Sequence, residues 1–449
     1  MKMIYNVEDK PKIGQVIVFA FQQLLAILAA TIAVPSIIGN GMSQSAALFG
    51  AGVGTIVYLL FTKFKSPVFL GSSFAFLGSM AAAFAGGVSA SLGYLGLILG
   101  AVFAGLVYVV IALIVKLCGV NWVDKIMPAV VIGPTVAIIG LSLAGNAVGD
   151  LTSGDVMVDD VQAASVYVCL ICGLVTLFVT MACSVFGKKT LKMIPFIIGI
   201  IAGYIVATIF TLIGNATGNT ELMVIDFSAF ADMKFVPDFT FLTAFSGNYE
   251  FGEVGSMGSY IATIAVAYVP VAFVVFAEHI ADHKNLSSII EKDLLKDPGL
   301  SRTLLGDGIG SAVGAIFGGC PNTTYGESVG CVAISGNASV VTILATAIMA
   351  IVASFIAPFV TFLATIPACV MGGICVALYG FIAVSGLKMI QKTDLNDNGN
   401  LFTVSVILIC GIGGLTLNFG SVTITEVACA LILGIIVNAI FGPKSKKSE

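Results

Sequence analysis

The sequence predicts an all-α polytopic membrane protein of fourteen transmembrane segments, read as a seven-plus-seven inverted repeat. Three observations predict it: charge is scarce, the basic residues fall on one side, and two short motifs recur in both halves. Of 449 residues, 58% are hydrophobic and only 10% are charged. A soluble domain carries about 25% charged residues, so most of this chain cannot face water. A helix needs about 20 apolar residues to cross the hydrocarbon core, and such stretches run almost end to end.

The candidate spans fall roughly at 14–32, 44–63, 74–86, 92–117, 125–145, 162–186, 193–213, 257–281, 301–317, 325–336, 338–364, 367–389, 400–418 and 422–442. The third and tenth are too short to cross alone. Each follows an irregular or strand-like stretch, SPVFLGSS before the third and GGCPNTT before the tenth. Both therefore read as a short strand leading into a half-helix.

Charge sidedness sets the topology. With the N-terminus in the cytoplasm, every one of the 20 Lys and Arg residues falls inside except Lys234. Basic loops stay cytoplasmic, so both termini are expected there, in a cell (inner or plasma) membrane. The outside loops are acidic, with Asp150, Asp155, Asp159 and Asp160 in one and Asp226, Asp232, Asp238, Glu250 and Glu253 in another. An odd number of spans would put the C-terminal lysines on the wrong side. The start, MKMIYNVEDKPKIG, lacks an apolar run with a cleavage site, so no cleavable signal is expected.

The repeat is visible in two places. Pro128–Gly133 and Pro367–Gly372 both read P-A-x-V-x-G, in the fifth and twelfth spans. Ser72-Ser73-Phe74 and Thr323-Thr324-Tyr325 are both two hydroxyl residues followed by an aromatic, at the third and tenth. An odd number of spans per half inverts the second copy. Interrupted segments at matching places in two inverted halves point to a transporter's binding site.

Other classes are disfavoured. A net charge of −4 and a lone Arg302 give nucleic acid nothing to bind. The ten cysteines sit mainly in apolar runs, so Cys169-x-x-Cys172 reads as packing rather than half of a metal site. No cofactor or metal is expected. The Gly-rich GDGIGSAVGAIFGG lacks the Walker lysine, and H-E-x-x-H is missing too. An intramembrane enzyme has no nucleophile–base set among two histidines, one of them read as lying beside a loop. The glycines instead allow close helix packing.

Ionisable groups within a bilayer are costly and mark function by default. Glu278, Asp307, Glu327 and Glu426 read as embedded. Glu278 lies in VAFVVFAEHIADHK with no basic neighbour in its apolar run. Desolvation makes its charged form expensive, so it can exchange between protonated and ionised states. Glu327, in CPNTTYGESVG, begins the tenth half-span, where free helix N–H groups favour anions and carbonyl oxygens. Two carboxylates that accept N–H and free amides that donate to C=O match the alternating edge of a pyrimidine-dione. Phe74 and Tyr325 could add a stacking face. Gln23 and Tyr379 are polar groups in apolar spans, each needing a partner. Asp307 reads as packing or gating, and Glu426 as interface capping. His279 points about 100° away from Glu278 and reads as structural.

These residues together resemble the nucleobase–ascorbate transporter family, and its uracil permease branch in particular. Pro321-Asn322-Thr323-Thr324-Tyr325-Gly326-Glu327-Ser328-Val329-Gly330 is similar to that branch's P-N-T-T-Y-G-E-N-I-G, with Ser328 in place of Asn. Gly71–Phe76, Ala277-Glu278-His279 and Leu378–Gly386 match as well, and the likeness covers nearly the whole chain. The resemblance implies a core domain (14–120 and 257–364), a gate domain (121–215 and 365–442) and an extracellular linker (216–256). It implies secondary active transport of uracil with a proton. Glu278 and Glu327 match the carboxylates that bind the base. Phe74, Tyr325 and Gly326 match positions around it, and Tyr379 matches a gate-side tyrosine.

Two departures bear on coupling. The branch resembles Gln-His where this chain has Gln22-Gln23, and tends to have a His where Asp282 stands. Glu278 and Asp282, at i and i+4, share one helix face, and two close carboxylates can share a proton. Proton coupling is therefore assigned to that pair, with sodium as the alternative ion. The alternative cargo is a purine such as xanthine or urate, against which NTTYGE argues. The expected partners are the nucleobase, the proton and the bilayer. The sequence leaves oligomeric state open, a homodimer included.

Overall fold

A computed structural model describes residues 3–442 apart from 120–121, 159–160, 189–190, 192–193, 232, 420–421 and 425. Of the charged residues that set the topology, Lys2, Lys189, Lys192, Lys444, Lys446, Lys447, Asp159, Asp160 and Asp232 lie outside the described residues. The helices are α1 (Ile13–Ile38), α2 (Gln44–Phe61), α3 (Leu77–Ala83), α4 (Ala90–Cys118), α5 (Val123–Ile126), α6 (Ala129–Ser142), α7 (Ala144–Asp150), α8 (Val166–Phe186), α9 (Pro195–Thr217), α10 (Thr240–Ala244), α11 (Met257–Ile290), α12 (Leu300–Gly318), α13 (Gly326–Ser335), α14 (Val340–Ala353), α15 (Ala357–Ala364), α16 (Ala368–Ile390), α17 (Asn398–Ile412) and α18 (Glu426–Phe441). Among the described residues there are also six short strands: β1 (Leu70–Ser72), β2 (Met157–Val158), β3 (Val161–Gln162), β4 (Asn322–Thr324), β5 (Leu417–Phe419) and β6 (Val422–Ile424).

Among the described residues, eight helices are long and apolar enough to cross a membrane, α6 and α7 counting as one. A ninth span is available if α14 and α15, bent by 84° at their junction, act together. The remaining apolar helices are shorter, among them α17 and α18. The chain is thus a mostly helical polytopic membrane protein.

Several elements differ from the sequence reading, each for a local reason. The eleventh span breaks at residues 354–356, just before Pro358, which has no backbone N–H to carry the helix through and instead sits in the first turn of α15. Helix α11, the eighth predicted span, runs on to Ile290 rather than stopping at 281. It continues because His283, Leu286 and Ile290, at i, i+3 and i+7, all find buried partners. The fifth span divides into α6 and α7 at Leu143. The linker is more than a polar strap: Phe239 and Phe241 pack on Phe317, with centroids at 5.8 and 5.9 Å, and Phe239 also meets Phe49 at 4.9 Å.

The helices pack in two groups. In one, α12 lies between α2 and α4, α11 lies on α4, and α14 lies on α2 and α1. In the other, α16 lies against α6 and α8, α8 pairs with α9, and α17 packs on α18 and α6. Helices α1 and α11 touch both groups.

The first group is held by glycine. A Cβ on Gly50 would collide with the carbonyl of Gly314, and one on Gly54 would stand 2.7 Å from the carbonyl of Gly310. Small residues let helix backbones approach closely when lipid gives no hydrophobic drive. Asn322 fills the seam and donates from Nδ2 to the Gly50 carbonyl at 3.1 Å. This is the close packing anticipated for the Gly-rich stretch.

Beside that seam, β1 and β4 pair antiparallel, Leu70 opposite Thr324, Gly71 opposite Thr323 and Ser72 opposite Asn322. Ser73 N–H donates to Pro321 O at 2.9 Å and Tyr325 N–H to Phe69 O at 3.3 Å, extending the pairing. Gly71 is required here, because any side chain would run into the Tyr325 ring. Each strand leads straight into a half-helix: a 3₁₀ turn at Phe74–Phe76 and then α3 on one side, α13 on the other.

Replacing Gly50 by Val is expected to disrupt the α2–α12 crossing, since overpacking costs about 1–3 kcal/mol or more. The melting temperature in detergent should fall by several degrees, and an unchanged melting temperature would contradict this account of the seam.

Candidate functional site

A cavity of about 400 Å³ lies between the two helix groups, within the range of about 300–1,000 Å³ typical of small-molecule sites. One wall is α11, which contributes Glu278, Ala281, Asp282 and Asn285. These positions, at i, i+3, i+4 and i+7, form a single helical stripe. The crossing of the half-helices supplies Phe74, Ala75 and Thr323–Glu327. The opposite wall is α16, through Phe381, Ile382, Ser385 and Met389, with Val136 and Ile139 of α6 and Phe196 of α9.

The start of α13 aims its groups at this space. Tyr325 is the N-cap in an extended conformation (φ −106°, ψ 120°), and Gly326 and Glu327 form the first turn. The first N–H groups of a helix have no partner within it. Gly326 is exposed and Glu327 partly exposed, so the turn's amides and a carboxylate share one rim. Tyr325 is fixed from behind, its Oη donating to Ser72 O at 2.8 Å. Its ring face therefore belongs to a rigid crossing.

Glu278 is partly exposed on the cavity side of α11. One turn on, Asp282 accepts a hydrogen bond from Thr324 Oγ1 at 2.7 Å, joining α11 to β4. A Cβ on Gly326 would come 3.9 Å from Asp282 Oδ1, so α13 begins directly beside this carboxylate. Among the described residues no Lys, Arg or His lines the cavity, and no cluster of His, Cys, Asp or Glu is arranged to hold a metal ion.

The structure thus brings Glu278, Asp282, Glu327, Phe74, Tyr325 and Gly326 onto one cavity. Two other sequence candidates stand back from it. Tyr379 packs edge-on to Phe74, with centroids 5.7 Å apart and planes at 80°. Gln23 is buried off the wall and donates from Nε2 to Ser328 Oγ at 2.6 Å. Ser328 in turn accepts from Phe69 N–H at 3.2 Å. Gln23 therefore ties α1 to the start of α13. Glu426 lines a separate void of about 20 Å³ on the far side of Phe74, Ala75 and Ile139, which border both spaces.

Sequence reasoning missed Thr324 as the partner of Asp282, as well as Asn285 and the α16 wall. The signal for Asn285 was its place on the Glu278 stripe. The signal for α16 was the helical spacing of 381, 385 and 389. The reading of a histidine beside a loop is corrected: His283 lies inside α11 and is fully buried. Its partner Tyr58 is 225 residues away in sequence, so no local pattern could have shown the contact.

A sequence model of the permease family matches residues 14–419. The uracil permease of Bacillus caldolyticus is 37% identical, aligned over 100% of this chain and 97% of its own length. The uracil permease of Bacillus subtilis strain 168 is 36% identical over 100% and 97%. That of Escherichia coli K12 is 32% identical over 97% and 93%. Among solved structures, the transmembrane domain of a cyanobacterial bicarbonate transporter, BicA, superimposes with a TM-score of 0.61 at 15% identity, over 97% of this chain and 100% of that one. SLC26A9 gives 0.64 at 11% identity, over 96% and 66%. These two likenesses concern the fold alone. By its match to the permease model over residues 14–419 and to these relatives from end to end, the chain belongs to the nucleobase–ascorbate transporter family and is a transporter rather than an enzyme.

Proposed function

We propose that this chain imports uracil together with a proton, by alternating access. The observation that carries the proposal is the convergence of Glu278, Asp282 and Glu327 with the amide-bearing start of α13 on one cavity. Carboxylates accept the ring N–H groups of a pyrimidine-dione, and free helix amides donate to its carbonyls. Phe74 and Tyr325 offer aromatic faces beside them. The relatives that match end to end are named uracil permeases, which favours uracil over a purine.

The proton rests on charge balance. With no cation among the described lining residues, protons are what can offset the carboxylates as the site changes sides. Glu278 and Asp282, one turn apart, are the pair we assign to this task. The bond from Thr324 gives Asp282 a fixed orientation.

The two helix groups support a division into a core (14–120 and 257–364) and a gate (121–215 and 365–442), with 216–256 outside. The antiparallel β1–β4 pair, each strand leading into a half-helix, supports a seven-plus-seven inverted repeat. Ser184, Asn285 and Met389 line the cavity near the ends of α8, α11 and α16. The basic residues near those ends favour a cytoplasmic position for them, so we read the conformation as open inward. Phe74, Ala75 and Ile139 then form the thin outer wall that must part for entry.

Uptake of labelled uracil into proteoliposomes tests the reading. Accumulation driven by an acid-outside gradient, abolished by a protonophore and not competed by xanthine or adenine, is expected. Accumulation driven by sodium alone, or equal competition by xanthine, would contradict it. Glu278→Gln should lower uptake roughly ten- to a hundredfold, as expected for losing a charged hydrogen bond, and should flatten its pH dependence. Full accumulation with unchanged pH dependence would refute the assignment. Thr324→Val should weaken uptake by roughly three- to tenfold, as for one hydrogen bond, and Thr324→Ser should restore it.

A further inference from the structure

Directly behind the carboxylates of α11 lies a second polar cluster that the transport reading does not use. Glu278 and Asp282 form one stripe of the helix. His279 and His283 form another, rotated by about 100° and facing the interior. Both imidazoles are fully buried, and their rings stack with centroids 4.0 Å apart at 26°.

Counting hydrogens fixes how these rings are held. His283 Nδ1 lies 2.8 Å from the His279 carbonyl, which can only accept, so Nδ1 carries the hydrogen. Nε2 of the neutral ring is then an acceptor, and Tyr58 Oη donates to it at 2.7 Å. Having given its hydrogen to the ring, the Tyr58 oxygen accepts from Ser66 Oγ, also at 2.7 Å. The chain of bonds has one direction, from Ser66 through Tyr58 to His283 and on to the α11 backbone.

His279 is held on both sides by α12. Its Nε2 lies 3.0 Å from Thr303 Oγ1. That hydroxyl gives its own hydrogen to Leu300 O at 3.0 Å, so Nε2 must be the donor. Its Nδ1 faces Asp307 Oδ2 at 2.6 Å, with one hydrogen between them. Thr303 and Asp307 sit at i and i+4, on one face of α12. The contact thus joins two paired stripes, one on each helix.

We infer that His279 and His283 are positioning residues that fix the rotation of α11 about its axis, and so set the bearing of Glu278 and Asp282 on the bound ligand. Their anchors are Thr303 and Asp307 on α12, and Tyr58 and Ser66 on and just after α2. Apolar packing is non-directional and sets the angle of a helix less sharply than hydrogen bonds do. Bonds to both imidazoles from two different helices add that direction, because any roll would break bonds between fully buried groups. This rests on the transport reading for the ligand's identity, but the latch itself is independent of it.

The test uses variants outside the cavity wall: Tyr58→Phe, Thr303→Val and the milder Ser66→Ala, in the full chain in proteoliposomes. In each, the KM for labelled uracil should rise by roughly three- to tenfold, as for losing one buried hydrogen bond, while kcat stays near its original value. Thr303→Ser should restore KM. An unchanged KM in all three, or a loss confined to the amount of folded protein, would overturn the inference. Carbodiimide labelling of Glu278 and Asp282, mapped by mass spectrometry, reads their bearing without substrate. Its rate should change in Tyr58→Phe, and an unchanged rate would count equally against the latch. Should the unaltered chain fail to carry uracil, the functional reading falls while the labelling still decides the latch.

Discussion

Backbone amides and carbonyls inside a bilayer have no water to bind, so a spanning chain can stop being helical only where other protein satisfies it. The pairing of β1 with β4 meets that constraint here. Two half-helices can begin in the interior because their lead-in strands bond to each other. From this follow the interior N-terminus of α13, the placement of Glu327, and the fixed ring of Tyr325. Without the strand pair there would be no helix N-terminus at this depth to meet a ligand.

The crossing is stiff because what surrounds it is stiff. Asn322 reaches from β4 into the glycine seam of α2 and α12. Tyr325 closes over Gly71 and bonds Ser72. Thr324 binds Asp282 of α11, and Gln23 of α1 holds Ser328. The imidazoles of α11 bind α12 and α2 on the other side. The carboxylates and aromatic rings of the cavity are thus built on one interlocked block, and the mainly apolar wall of α6, α9 and α16 faces it across the cavity. Such a division suits a carrier in which one body moves against another around a fixed site.

Much of this was legible in the sequence. Scarce charge and long apolar runs give the membrane class, since burial of charge in lipid is costly. Glu278 and Glu327 stand out because they break apolar runs, and both line the cavity. The irregular stretches before the third and tenth spans are the two paired strands. What was not legible depends on contacts distant in sequence. Gln23 looks like a lone polar group in a span, and only the folded chain shows its bond to Ser328, 305 residues away. One histidine reads as lying beside a loop because the apolar run ends near 281, yet His283 has a partner on another helix and α11 runs on to Ile290. Periodicity reports which face of a helix is buried. It does not report which polar group waits on the other side.

Carriage of a nucleobase at the cavity between Glu278 and Glu327 is decided by counterflow. Proteoliposomes loaded with unlabelled uracil and diluted into a trace of labelled uracil should show a transient internal overshoot of label, lost in Glu327→Gln. A channel gives no overshoot and an enzyme gives product. Absence of the overshoot in the unaltered chain, or its survival undiminished in Glu327→Gln, would contradict the account.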